Sequence, residues 1–333
     1  MLAIRTWAPQ RPSAIRILLL CVVEARPCVL GVSALRFLTG AALALPAGAS
    51  PNPLTVLQGM AAWVLSILAI YLFNGVTDVT EDRINGSGRP IARGDLPQRT
   101  AALVVAAAAV LALAATLGLP APMAVIIALN LVLGYLYSGR PAPLKDSVAG
   151  TLTVLCVSGL LSYLAGAVVA MDGAVGGTAD GVAVGAGGGV ADWAVGGAVL
   201  AMPHGLLVFA AAAISWMVLV GMPAKDLSDI TGDAAVGRRT LGALVGERVS
   251  RRLMALAAVG VLTAFGVAVA IVGVPLEGPL LAMAAGVAAV VISGAKWLKF
   301  HPEDGDRRRR RRPYAAFMVT QHLLHIMAVL SVI

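Results

Sequence analysis

The chain has 333 residues, 59% of them hydrophobic and 13% charged, with a formal net charge of +8 and a mean hydropathy of +0.88. A soluble domain carries about 25% charged residues, so a large soluble helical protein is excluded for want of polar surface, and the composition is that of an integral membrane protein. Cys21, Cys28 and Cys156 are too few and too far apart for a metal site or a disulfide framework and read as small hydrophobes.

Residues 1–27 carry Arg5, Arg11, Arg16 and Arg26 around one short apolar run, Ile15–Val23. No small-residue cleavage site comes after the run, so an interfacial cytoplasmic segment is expected rather than a signal peptide. Apolar stretches of spanning length then cover residues 28–46, 56–74, 100–118, 121–137, 147–170, 201–221, 253–273, 279–295 and 314–333. Each approaches the roughly 20 residues that a bilayer core requires. Pro46, Pro51, Pro53, Pro120, Pro122, Pro203, Pro275, Pro279 and Pro313 mark ends and turns. Residues 171–200 are a Gly/Ala/Val-rich segment, expected to be a tolerated external loop insertion.

The basic residues orient these stretches. With the N-terminus in the cytoplasm and alternating sides, every Lys and Arg of the 25 except Arg36 falls on the cytoplasmic side, including the run Arg307–Arg312. The outer loops hold Asp172, Asp180, Asp192 and Glu277 and no base. The positive-inside rule therefore predicts an all-α integral membrane fold. It has nine transmembrane helices bundled around a central cavity, the N-terminus cytoplasmic and the intramembrane domain over 28–333. The positive balance belongs to these loops and implies no nucleic-acid partner.

Acids are scarce in such a chain, and two groups sit at cytoplasmic helix ends. The first is Asn74-Gly-Val-Thr-Asp78-Val-Thr-Glu-Asp82, with polar residues at i, i+4 and i+8. The second is Lys225-Asp226-Leu-Ser-Asp229-Ile-Thr-Gly-Asp233, with acids at i, i+3 and i+7. If helical, each places three oxygen-bearing side chains on one face. Like charges so placed repel, and they make sense around a hard divalent cation. Arg89-Pro90-Ile91-Ala92-Arg93-Gly94 follows the first group and Gly237-Arg238-Arg239-Thr240 the second, while Tyr137-Ser138 and Lys145 lie between them. Acids that hold Mg²⁺, interleaved with Arg and Lys, suit a diphosphate, and an apolar cavity suits a prenyl tail.

NxxxDxxxD followed by RPIxxG, then KDxxDxxGDxxxGxxTL, together with Tyr137-Ser138, Pro143 and Lys145, resemble the motifs of the UbiA superfamily of intramembrane prenyltransferases. The resemblance covers roughly residues 26–333. It implies that Asn74, Asp78 and Asp82 hold one Mg²⁺ and Asp226, Asp229 and Asp233 another. It implies that Arg89, Lys145 and Lys225 contact the diphosphate, with Tyr137 and Ser138 lining the site. Two positions depart from it. The family often has Asp after the motif Asn, where this chain has Gly75, and Tyr four residues before the motif Lys, where it has Gly221.

The implied activity is Mg²⁺-dependent transfer of a prenyl group from an isoprenoid diphosphate to a small lipophilic, aromatic acceptor through an allylic carbocation. The expected location is a bacterial cytoplasmic membrane with the site facing the cytoplasm. The alternative is a membrane-embedded terpene cyclase acting on the same diphosphate. A transporter is disfavoured, because the charges lie at helix ends and no inverted repeat is evident. Arg36, the one base within a span, is expected to face the cavity and to meet an acceptor carboxylate or a motif Asp. His322 and His325 on the last span are expected to hydrogen-bond between helices rather than to bind metal.

Overall fold

The computed structural model describes residues 13–45, 48–175, 190–195, 198–235, 237–293 and 306–332. Residues 1–12 of the expected interfacial segment lie outside the described residues, and the first described element is a short helix, α1 (Ala14–Glu24), capped by Ser13. After it come α2 (Pro27–Ala44), α3 (Pro53–Thr77), the short helices α4 (Val79–Ile84) and α5 (Pro90–Arg93), α6 (Gln98–Ala114), α7 (Ala121–Ser138) and α8 (Val148–Val175). The second half holds α9 (His204–Trp216), α10 (Met222–Ala235), α11 (Leu241–Val272), α12 (Glu277–Ser293) and α13 (Asp306–Leu330). Among the described residues, seven helices are long and apolar enough to cross a membrane, while α6 and α12 are shorter apolar helices. Each of the nine apolar stretches read from the sequence falls on one of these helices.

Small residues let the helices approach closely. A Cβ on Gly40 of α2 would run into the Tyr163 backbone of α8, and one on Gly166 of α8 into the Phe37 carbonyl. Close backbone approach of this kind is the usual basis of helix packing where lipid removes the hydrophobic drive. Phe37, Trp63, Tyr163, Phe209, Trp216 and Phe265 fill the interior, while Leu103, Leu256, Ile271 and Leu281 are at least 70% exposed on the outer face. Large apolar side chains turned outward in this way fit a hydrocarbon surround. His325 Nε2 lies 2.7 Å from the Tyr163 hydroxyl, so α13 and α8 are joined as expected, whereas His322 bonds to the Met318 carbonyl of its own helix.

Four local readings change. Most of the expected 171–200 loop lies outside the described residues, but α8 runs on to Val175, and β1 (Val190–Val195) pairs antiparallel with β2 (Ala198–Pro203). The sixth stretch therefore becomes helical only at His204, after Pro203. Pro313 lies inside α13 rather than at its start. The described part of the arginine run is thus helical, held by Glu247, which accepts from Arg310 at 2.8 Å and from Arg251 at 3.0 Å. The first acidic group does not form one continuous helix. The Thr77 hydroxyl donates to the Asn74 carbonyl at 3.0 Å, α3 ends, and Asp78 leaves helical geometry at φ −98°, ψ 15°.

Candidate active site

Both acidic groups open onto one cavity of about 190 Å³. α3 starts cleanly because Asn52 caps it, accepting from Leu54 N at 3.0 Å, with Pro53 as its first residue. Its far end delivers Asn74 and Asp78, and α4 brings Asp82. The second group rides on the continuous helix α10, which begins immediately after a π-helical turn, Met217–Gly221. Such a turn inserts extra backbone and rotates the residues beyond it, and it recurs at functional sites. Here it directs Lys225, Asp226, Asp229 and Asp233 into the same cavity.

Asn74, Asp78 and Asp82 line the cavity, as does Lys145 from the 3₁₀ turn Leu144–Asp146. Tyr137 and Arg36 also line the cavity. Val29, Val32, Ile70, Val154, Leu155 and Met318 give the cavity an apolar wall. Ser138 stands just behind the lining and accepts from Asn74 Nδ2 at 3.0 Å. Arg89 is also behind it. Its guanidinium is taken up by Asp82 at 2.8 Å, Glu24 at 2.8 Å and the Glu24 carbonyl at 3.0 Å. Arg36 meets Gln321 Oε1 at 3.5 Å rather than a motif Asp.

The acids are paired with cations drawn from distant segments. Lys145 Nζ donates to Asp78 Oδ1 and, at 3.2 Å, to the Thr77 hydroxyl. Arg238 donates to Asp78 at 2.9 Å and to Glu81 at 3.3 Å, and lies 3.6 Å from Asp233. One guanidinium therefore spans the two groups. Burial alone would raise the Asp78 carboxyl, but the Lys145 ammonium and the Arg238 guanidinium outweigh it and hold it below the usual carboxylate range. Among the described residues no three His, Cys, Asp or Glu side chains already form a closed cage for an ion.

Arg238 was visible in the sequence as a base after the second motif, but its reach to Asp78 was not. Glu24 and Asn85 carry no sequence signal of their own, while Arg26 stands in the sequence only as one of the bases that set the topology and Glu81 only as part of the first acidic group. Arg26 lines the cavity from a backbone at φ 64°, an uncommon conformation for a residue with a side chain. Pro27, which opens α2, bars it from the helical region. The two family departures are filled from elsewhere in the fold. The Glu24 carboxylate occupies the space into which a side chain at Gly75 would project, and the Phe317 ring occupies the corresponding space at Gly221.

An apolar-walled cavity in a helical membrane bundle, with acids and bases from two sequence motifs at its mouth, defines a class of intramembrane protein that handles a lipid with a charged head. The sequence profile of the UbiA prenyltransferase family matches residues 35–321, and the chain belongs to that family. No curated protein sequence matches it. Among solved structures it is similar to a UbiA homolog from Archaeoglobus fulgidus bound to DMAPP and Mg²⁺, at 14% identity and a TM-score of 0.61, covering 91% of this chain and 98% of that one. It is also similar to a UbiA homolog from Aeropyrum pernix K1, at 18% identity and a TM-score of 0.59, covering 90% and 96%. A third is a digeranylgeranylglyceryl phosphate synthase, at 16% identity and a TM-score of 0.55, covering 95% and 98%.

Proposed function

We propose that this chain is a Mg²⁺-dependent prenyltransferase that moves a prenyl group from an isoprenoid diphosphate to a small aromatic acceptor. The observation that carries the reading is the convergence of both acidic groups and of Lys145, Lys225 and Arg238 on one apolar-walled cavity. The donor set fits a hard cation: Asp78, Asp226 and Asp233 are carboxylates less than 9% exposed, and Asp82, Asp229 and the Asn74 amide add further oxygens. Asn74, Asp78 and Asp82 would hold one ion and Asp226, Asp229 and Asp233 the other. When bound, Mg²⁺ neutralises charge on the departing diphosphate.

The chain's own residues supply the rest. Lys145, Lys225 and Arg238 take diphosphate oxygens, which stabilises the leaving group as the allylic C–O bond breaks. Arg89 acts by holding Asp82. The apolar wall receives the prenyl tail and keeps water from the carbocation, while Tyr137 offers it an aromatic ring. Arg36, steadied by Gln321, is placed to meet an anionic group on the acceptor.

The accompanying topology is nine spans with the N-terminus and the site on the cytoplasmic side. Labelling of single cysteines placed at Ser87 and at Gly278 tests it, since only the former is expected to react from the cytoplasm. Purified protein given Mg²⁺ and geranyl or farnesyl diphosphate, with and without a panel of phenolic acceptors, tests the activity. Prenylated phenol is expected. A cyclic hydrocarbon or alcohol formed without acceptor establishes the terpene cyclase instead.

A further inference from the structure

Glu24 is the last residue of α1 and is fully buried. A carboxylate there faces the negative end of its own helix and would be costly to bury alone. Its position is explained by what it grips. Glu24 Oε1 lies 2.8 Å from Arg89 Nε, and Oε2 accepts from the Ile91 backbone N–H at 2.9 Å. Arg89 returns a bond to the Glu24 carbonyl at 3.0 Å, satisfying a helix-end carbonyl of α1. The other arm of Arg89 meets Asp82 Oδ2 at 2.8 Å. The connection runs from α1 to Arg89 and from Arg89 to an acid at the cavity mouth.

The arrangement needs a glycine. A Cβ on Gly75 would strike Glu24 Oε1 and would lie 2.8 Å from Arg89 Nη2. Only a residue without a side chain at 75 leaves room for the Glu24 carboxylate to reach Arg89. We propose that Glu24 is the positioning residue of the first acidic group, a carboxylate on α1 that fixes Asp82 through Arg89. This rests on the reading of Asp82 as a cation ligand. It adds that Gly75 and Glu24 work as a pair, the missing side chain at 75 leaving the room that the Glu24 carboxylate fills.

The test is Mn²⁺ affinity of the full chain in nanodiscs, read by electron paramagnetic resonance, with the melting temperature measured beside it. Glu24→Gln keeps the shape and an acceptor for Ile91 but removes the charge on Arg89. It is expected to weaken Mn²⁺ binding by about tenfold, the scale of a lost outer partner, with the melting temperature little changed. Gly75→Asp alone is expected to be worse, from overlap and like charge. The double variant Glu24→Ala/Gly75→Asp frees that space and returns a carboxylate beside Arg89, and it is expected to bind within about threefold of the unmodified protein. A Glu24→Gln affinity within twofold of the unmodified protein overturns the proposal, as does a double variant no tighter than Gly75→Asp. Loss of Mn²⁺ binding in Asp78→Asn together with unchanged binding in Glu24→Gln overturns this inference alone. No Mn²⁺ binding by the unmodified protein overturns it and the proposed function together.

Discussion

The backbone N–H of Gly232 donates to the side-chain oxygen of Asn85 at 2.9 Å, which ties the segment after the first acidic group to the helix carrying the second. The contact explains the glycine, because a Cβ at 232 would overlap the Asn85 amide. Gly232→Ala is expected to cost about 1–3 kcal/mol by overpacking. Activity is expected to fall further than stability does, since the two acidic groups are pushed apart. Thermal melting and initial rates on the same preparation check it, and an unchanged rate counts against the tie.

Arg238 makes the second connection, reaching Asp78 at 2.9 Å and Asp233 at 3.6 Å. A guanidinium does this because its donors fan out in a plane, whereas an ammonium is a point charge. Arg238→Ala is expected to lower kcat/KM by about 10² or more, the size of one preorganised charge at a reacting centre. Arg238→Lys is expected to recover only part of it. Equal rates for the Lys and unmodified proteins would show that spanning both groups is unimportant.

Much of this site could be read from residue order. Asp78, Asp82, Asp226, Asp229 and Asp233 stand out as acids in an apolar chain, Asn74 lies four residues before the first of them, all six line one cavity, and the helices fall on the apolar stretches. What could not be read has two physical causes. Spacing assumes a uniform helix, so neither the break at Asp78 nor the π turn at Met217–Gly221 could be seen. Partners far apart in sequence leave no local pattern. Glu24 meets Arg89 across 65 positions and Lys145 meets Asp78 across 67. The motif reveals the presence of Arg89 and not the acids, Glu24 and Asp82, that its guanidinium meets.

Asp78 gives a pH signature. Its carboxyl titrates below the ordinary value because Lys145 and Arg238 outweigh the effect of burial. A group with a lowered folded pKa binds its proton more weakly in the folded chain than in the unfolded one. Its stabilisation is therefore complete above the ordinary Asp value, about 3.9, and is lost as pH falls through the lower folded value. With chelator present, the unmodified protein is expected to lose melting temperature steeply below about pH 4. Asp78→Asn is expected to melt lower at about pH 6 and to show a flatter acid limb. Parallel limbs in the two proteins would remove Asp78 from the account.

Gly221 is the second family departure. At Gly221 a Cβ would collide with the Phe317 ring. That ring is 4% exposed and stacks on Trp216 at 6.4 Å and Tyr314 at 5.9 Å between centroids. An aromatic ring thus fills the space beside the cavity from α13 rather than from residue 221. Gly221→Tyr alone is expected to lower the melting temperature, because two rings compete for one space. Phe317→Ala alone leaves a void and is expected to cost about 3–5 kcal/mol. The double variant restores one ring and is expected to be markedly more stable than the two single costs summed, since contacting residues do not add independently. Its product profile is a second readout, because a Tyr hydroxyl would stand where Phe317 presents only carbon. Simple additivity of the two substitutions in melting temperature would mean that the rings do not share that space.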